Sequence, residues 1–218
     1  MTDYFQFPKT PPAYAIIWLH GLGASGRDMA GIVSAMQLQG LFIRHLFLDA
    51  PTRPVTINQG AVMPAWYDIL GLQFSDREDE AGIKASGGIL QHTIQQLIDS
   101  GFSASQIILA GFSQGAALAI YTALQRQERL GGVILLSGYL PLARTLSPKL
   151  VLDTPMFIGY GRYDPIVMPA WTQLMIEALK QWGYQAVQVE NYPIEHRVCP
   201  EELTALSAWI KGLTHDSN

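Results

Sequence analysis

Residues 106–125 read QIILAGFSQGAALAIYTALQ. Gln106 opens a run of apolar residues to Ala110, the pattern of a strand buried on both faces. From Gln114 to Gln125 the chain is rich in alanine and reads as helix. Between them stands Gly111-Phe112-Ser113-Gln114-Gly115, a G-x-S-x-G sequence. A turn from strand to helix this tight forces its serine into a strained backbone conformation, and Gly111 and Gly115 leave the room it needs. The Ser113 hydroxyl then stands above the sheet at a helix N-terminus, whose amides favour developing negative charge. The plainer alternative is a Gly-Ser turn that merely starts a helix. The strand on one side and the helix on the other argue for a nucleophile instead.

Outward from this turn the chain alternates. Continuous apolar runs predict strands at Ala15–Leu19, Phe42–Leu48, Val133–Ser137, Met156–Gly159 and Ala186–Val189. Helical spacing predicts helices at Arg27–Gln37, Glu78–Ser100, Pro169–Trp182 and Glu201–Gly212, with a polar tail over 213–218. Ala50–Gly71 carries Pro51, Pro54, Gly60 and Pro64 and reads as a long loop, which in a compact domain usually has a function. Alternating strands and helices predict an α/β fold, one mostly parallel sheet with helices on both faces. No repeat or linker-like break interrupts it, so residues 1–218 are expected to form a single domain.

Composition narrows the function classes. Of 218 residues 49% are hydrophobic and only 15% charged, against about 25% charged in an average soluble domain. That excludes intrinsic disorder. The 14 basic and 18 acidic residues leave a net charge of −4 with no basic cluster, so no nucleic-acid partner is expected. Cys199 is the single cysteine; it forms no internal disulfide and builds no thiolate metal cage, so no metal is expected. The longest apolar stretch, Gly132–Leu142, is short of the roughly 20 residues of a membrane span. The start of the chain lacks a signal-peptide pattern. These features predict a cytoplasmic protein.

A serine hydroxyl is a weak nucleophile without a base. On a scaffold with this turn the chain order is serine, acid, histidine. His20 and His45 precede Ser113, His92 lies in a predicted helix and His215 in the tail. His196 remains, in the loop before the last helix. The acid should lie between them, among Glu128, Asp153, Asp164, Glu177, Glu190 and Glu195. Asp164 follows the strand Met156–Gly159 at the carboxyl edge of the sheet, where ligands bind in open α/β folds. A capping role at Pro165 is its alternative. Glu128 and Glu177 fall on helices, Asp153 at the opposite edge, and Glu190 is a weaker rival. Acyl transfer also needs donors for an oxyanion. The amide of Gln114 is one candidate. The amide of Leu22, in the loop His20-Gly21-Leu22-Gly23, is the other. A phosphate-binding reading of that glycine loop fails for want of a P-loop lysine or dinucleotide spacing.

Five stretches together carry a family resemblance: Trp18 to Gly23, Ala50 to Thr56, Met63 to Asp68, Gly111 to Gly115, and Asp164-Pro165. From about Ile16 to Trp209 the chain resembles the small α/β-hydrolases of the carboxylesterase and acyl-protein thioesterase (phospholipase/carboxylesterase) family. The resemblance implies an α/β-hydrolase fold without a large lid domain and a cofactor-free mechanism through an acyl-enzyme. It implies a small-molecule or lipid-like acyl ester or thioester as substrate. The family's triad falls on Ser113, Asp164 and His196, and its oxyanion donors on Leu22 and Gln114. Two residues depart from the family pattern, Tyr160 and Arg197. Arg197 stands beside the histidine, where a cation would lower the histidine's pKa.

The loop from Met63 to Phe74 is apolar. It either covers the core or lines an acyl groove; in the second case Met63, Trp66, Leu72 and Phe74 are the substrate-binding candidates. Exposed apolar loops also serve self-association, so a homodimer is a further expectation. Two other functions stay open at this level: a hydrolase of lactones or amides, and a non-enzymatic binding module on the same scaffold.

Overall fold

The computed structural model describes residues 2–5, 12–71, 77–149 and 151–215. Its strands are β1 (Thr2–Phe5), β2 (Tyr14–Leu19), β3 (Ile43–Leu48), β4 (Thr52–Val55), β5 (Ala61–Pro64), β6 (Ile107–Phe112), β7 (Gly132–Leu136), β8 (Met156–Gly161) and β9 (Val187–Tyr192). Its α-helices are α1 (Gly26–Ser34), α2 (Glu80–Asp99), α3 (Gln114–Leu124), α4 (Pro169–Gln181) and α5 (Pro200–His215).

Among the described residues seven strands form the main sheet, in the order β1-β3-β2-β6-β7-β8-β9. All neighbours pair in parallel except β1, which runs antiparallel to β3. Side chains alternate across a strand, and here both faces are dry. Ala15, Ile17 and Leu19 face one side with Leu109, Leu135 and Ile158, under Ile83 and Leu90 of α2, Ala117 and Ile120 of α3, and Met175 of α4. Ile16 and Trp18 face the other with Ala110, Ile134 and Phe157, under Met29 of α1 and Leu206 and Ile210 of α5. Burial on both faces is why the strands read as unbroken apolar runs.

Three expectations need correction. The stretch read as a long loop holds an antiparallel hairpin, β4 with β5, joined by a short 3-10 turn at Thr56–Asn58. Prolines read as breakers are tolerated there because a two-stranded ribbon leaves edges that need no amide; Gln59 and Gly60 close the turn at positive φ. The helix after the glycine loop ends at Ser34 rather than Gln37, and Met36 is buried from the turn beyond it. The last helix runs to His215, so 213–215 belong to α5 and not to a tail. The edge strand β1 was not foreseen. Among the described residues no helix is long and apolar enough to cross a membrane.

Candidate active site

The carboxyl ends of β2, β6, β8 and β9 lie at one edge of the sheet. Each leads into a loop that carries a site residue. After β6 the chain turns into α3 at Ser113, held at φ 55 and ψ −118. Such a backbone persists only where its surroundings over-determine it. Here they do: a Cβ on Gly111 would collide with the backbone of Gly115, and one on Gly115 with the Leu19 carbonyl. Ser113 N–H is held by the Leu136 carbonyl at 2.9 Å.

Ser113 Oγ donates to His196 Nε2 at 2.9 Å, and His196 Nδ1 donates to Asp164 Oδ2 at 2.6 Å. Asp164 is 4% exposed. Its other oxygen, Oδ1, accepts the amides of Ile166 and Val167, each at 2.9 Å. Burial alone would raise the Asp164 pKa. The His196 ring, its charge and these two amides outweigh burial, and the carboxyl lies below its ordinary value. Asp164 thus closes a local turn at 164–167 and does not cap a helix, since α4 begins only at Pro169. The His196 ring lies 4.8 Å from that of Phe112. The loop bearing His196 is tied to the end of β8 by Arg162 N–H on Tyr192 O and Tyr163 N–H on Ile194 O.

Two of the rival acids are engaged elsewhere. Glu190 accepts from Gln188 on β9, and Asp153 pairs with Arg129. Arg197 is exposed and forms no ion pair among the described residues.

Leu22 and Gln114 flank Ser113. Among the described residues neither amide donates to another backbone group, so both are available. The Leu22 loop is braced from below. His20 Nε2 accepts the Ala50 amide at 3.0 Å, so its proton sits on Nδ1, which donates to Gly21 O at 2.7 Å. Gly23 N–H donates to Pro64 O at 2.8 Å. The Gln114 side chain staples α3 to the segment after the hairpin: its Oε1 accepts the Trp66 amide at 2.9 Å and its Nε2 donates to Tyr67 O at 2.7 Å.

A cavity of about 560 Å³ opens beside Leu22, Ser113 and Gln114. Ile57, Ile69, Leu140, Ala143, Ile166 and Val167 belong to its apolar wall. Of the expected groove residues, Met63 and Trp66 do not line this cavity. Trp66 is buried outside the cavity, because its indole N–H finds the His20 carbonyl at 2.9 Å; it supports the Leu22 loop. Met63 also lies outside, accepting from Asn58 Nδ2 and packing near Gly23. Leu72 and Phe74 fall outside the described residues. Sequence reasoning missed Tyr139, Ala143, Ile166 and Trp171, which arrive from three other loops or helices with no local signal.

Comparisons with known proteins bear on the family and the fold. The phospholipase/carboxylesterase family matches over residues 4–214. The chain is 35% identical to acyl-protein thioesterase 1 of Neurospora crassa, over 93% of this chain and 90% of that protein. It is also 35% identical to acyl-protein thioesterase 1 homolog 1 of Dictyostelium discoideum, over 95% and 94%. The crystal structure of SOBER1 from Arabidopsis thaliana superposes with a TM-score of 0.85 at 30% identity, covering 92% of this chain and 99% of that one.

Proposed function

The chain belongs to the phospholipase/carboxylesterase family, and from that membership we propose how its own residues carry out the chemistry. It is an α/β-hydrolase that cleaves ester and thioester acyl bonds as a serine hydrolase. Ser113 Oγ attacks the acyl carbonyl carbon while His196 Nε2 takes the hydroxyl proton. The carbonyl oxygen becomes an oxyanion between the amides of Leu22 and Gln114, where fixed donors stabilise it most as charge develops. The tetrahedral centre then collapses. The bond to the leaving oxygen or sulfur breaks, and His196 returns the proton to it. Water enters the acyl-enzyme by the reverse sequence, giving its proton to His196 and freeing the carboxylic acid. Asp164 holds the Nδ1 proton and stabilises the imidazolium through both steps.

The observation that carries this reading is the continuous hydrogen-bonded line from Ser113 through His196 to Asp164. The apolar cavity beside Ser113 supports acyl chains as the group received there, its volume lying within the range of small-ligand sites. Acylated proteins are within the substrate class we propose, supported by the thioesterase relatives. A fluorophosphonate probe should label the wild type at Ser113 and leave Ser113→Ala unlabelled. Turnover of p-nitrophenyl esters and of a palmitoyl thioester should fall by several orders of magnitude in that variant, leaving a residue of roughly 10³-fold over water. Wild-type turnover in purified Ser113→Ala would sink the assignment.

A further inference from the structure

Tyr67 and Tyr139 both line the cavity beside Ser113, and their hydroxyl oxygens stand 2.7 Å apart. Each phenol carries one proton, and the bond between them uses one of the two. Neither hydroxyl makes another hydrogen bond to a described residue. One proton is therefore left over, and burial decides which. Tyr67 is 2% exposed, so a spare proton there would be buried with no acceptor, which is costly. Tyr139 is half-buried against the cavity. Tyr67 thus donates to Tyr139, and Tyr139 keeps its own proton for the cavity.

The donor is held in place. Gln114 grips the Tyr67 carbonyl at 2.7 Å, and Trp171 meets the Tyr139 ring edge-on at 6.2 Å. Both phenols remain protonated: burial pushes Tyr139 up to about 12 and holds Tyr67 well above its ordinary value, with Glu78 nearby adding to both. An oriented donor in a largely apolar wall is the kind of polar anchor that fixes ligand orientation.

We propose that Tyr139, oriented by Tyr67, donates a hydrogen bond to the substrate, and that the protein favours acyl groups carrying an acceptor oxygen on the chain. An ether, hydroxyl or keto group meets that requirement. A plain alkyl chain displaces water from Tyr139 and offers it nothing in return. The proposal rests on the reading that this cavity receives the acyl chain.

The test compares p-nitrophenyl hexanoate with analogues in which an ether oxygen replaces the third, fourth or fifth chain carbon. Each kcat/KM is divided by the rate constant for hydroxide hydrolysis, which removes intrinsic reactivity. The wild type should prefer at least one ether analogue by about tenfold, the worth of one hydrogen bond. Tyr139→Phe should bring that ratio close to unity. Tyr67→Phe should lower it by a smaller factor, since Tyr139 is then free to turn. No ether preference in the wild type, or an unchanged ratio in Tyr139→Phe, overturns the proposal. Should Tyr139→Phe not fold, an unchanged ratio in Tyr67→Phe overturns it equally. Hexyl acetate and its ether analogues carry the oxygen on the alcohol side. A preference there that Tyr139→Phe removes would put the leaving group in the cavity and overturn the acyl assignment. Fluorophosphonate labelling of the wild type, run alongside, separates these outcomes from failure of the Ser113 reading.

Discussion

His20 is fully buried, and both its ring nitrogens are spent on backbone, one on Gly21 O and one on the Ala50 amide. His20 therefore acts as a brace for the Leu22 amide. His20→Asn should lower kcat for p-nitrophenyl esters by up to about 10²-fold, the cost of a misplaced oxyanion donor. KM should change little, because that donor acts on charge absent from the ground state. A rise in KM with kcat intact would assign His20 to binding instead. Asp164→Asn tests the other side of the site. It keeps the shape but presents an amide to Nδ1, and kcat should drop by about 10⁴-fold through the wrong histidine tautomer. Glu190→Gln, on an outer strand away from the site, should be near neutral.

The turn from β6 to α3 works only because two neighbouring elements press against it. Gly115 packs on the Leu19 carbonyl at the end of β2, and Gly111 on the first turn of α3 itself. Gly115→Ala must push α3 off β2. It should destabilise the protein by about 1–3 kcal/mol, as overpacked cores do, and slow probe labelling of Ser113 in the folded fraction. Denaturant melting followed by labelling reads both. The start of α2 is a second joint. Asp79 accepts the Gly82 amide at 2.9 Å as a helix cap and the Asp68 amide at 2.9 Å, so it ties α2 to the cavity wall. Asp79→Ala should cost about 1 kcal/mol in urea unfolding.

At the scale of the whole molecule, two buried titratable groups give stability an unusual pH dependence. Burial lowers the His45 pKa to about 4 from 6.5, with its Nδ1 accepting the Trp18 indole N–H. Unfolded chains bind that proton more readily, so His45 stabilises above pH 6.5 and loses its contribution as pH falls toward 4. Glu202, 1% exposed under Gly159, is the reverse. Burial raises it from 4.5 to about 7, although the Cys199 amide opposes this. The folded state holds that proton longer, so stability falls as pH rises from 4.5 to 7. The two slopes oppose across 4.5–6.5, and the wild-type melting temperature should be flatter there than in either variant. Glu202→Gln should make stability rise with pH in that window, and His45→Gln should make it fall. Parallel curves for all three proteins would refute both assignments.

Some of this was determined by sequence alone. Apolar runs alternating with helical spacing suffice for a parallel sheet, because strands dry on both faces have no other pattern. Ser113 is legible because its turn is local: strand, two glycines and helix all fall within a few residues. Asp164 and His196 are legible because parallel strands send their following loops to one edge, so chain order stands in for position. The tertiary structure alone decided the hairpin β4–β5, whose prolines look like breakers until the ribbon's edges are seen. It alone separated Trp66 from Tyr139: one apolar aromatic is drawn into the core by a carbonyl 46 residues away, and the other is set on the cavity wall. The Tyr67–Tyr139 pair spans 72 residues. Which way a side chain faces there depends on where its one polar atom finds a partner. That partner comes from a distant segment, which no local pattern can name.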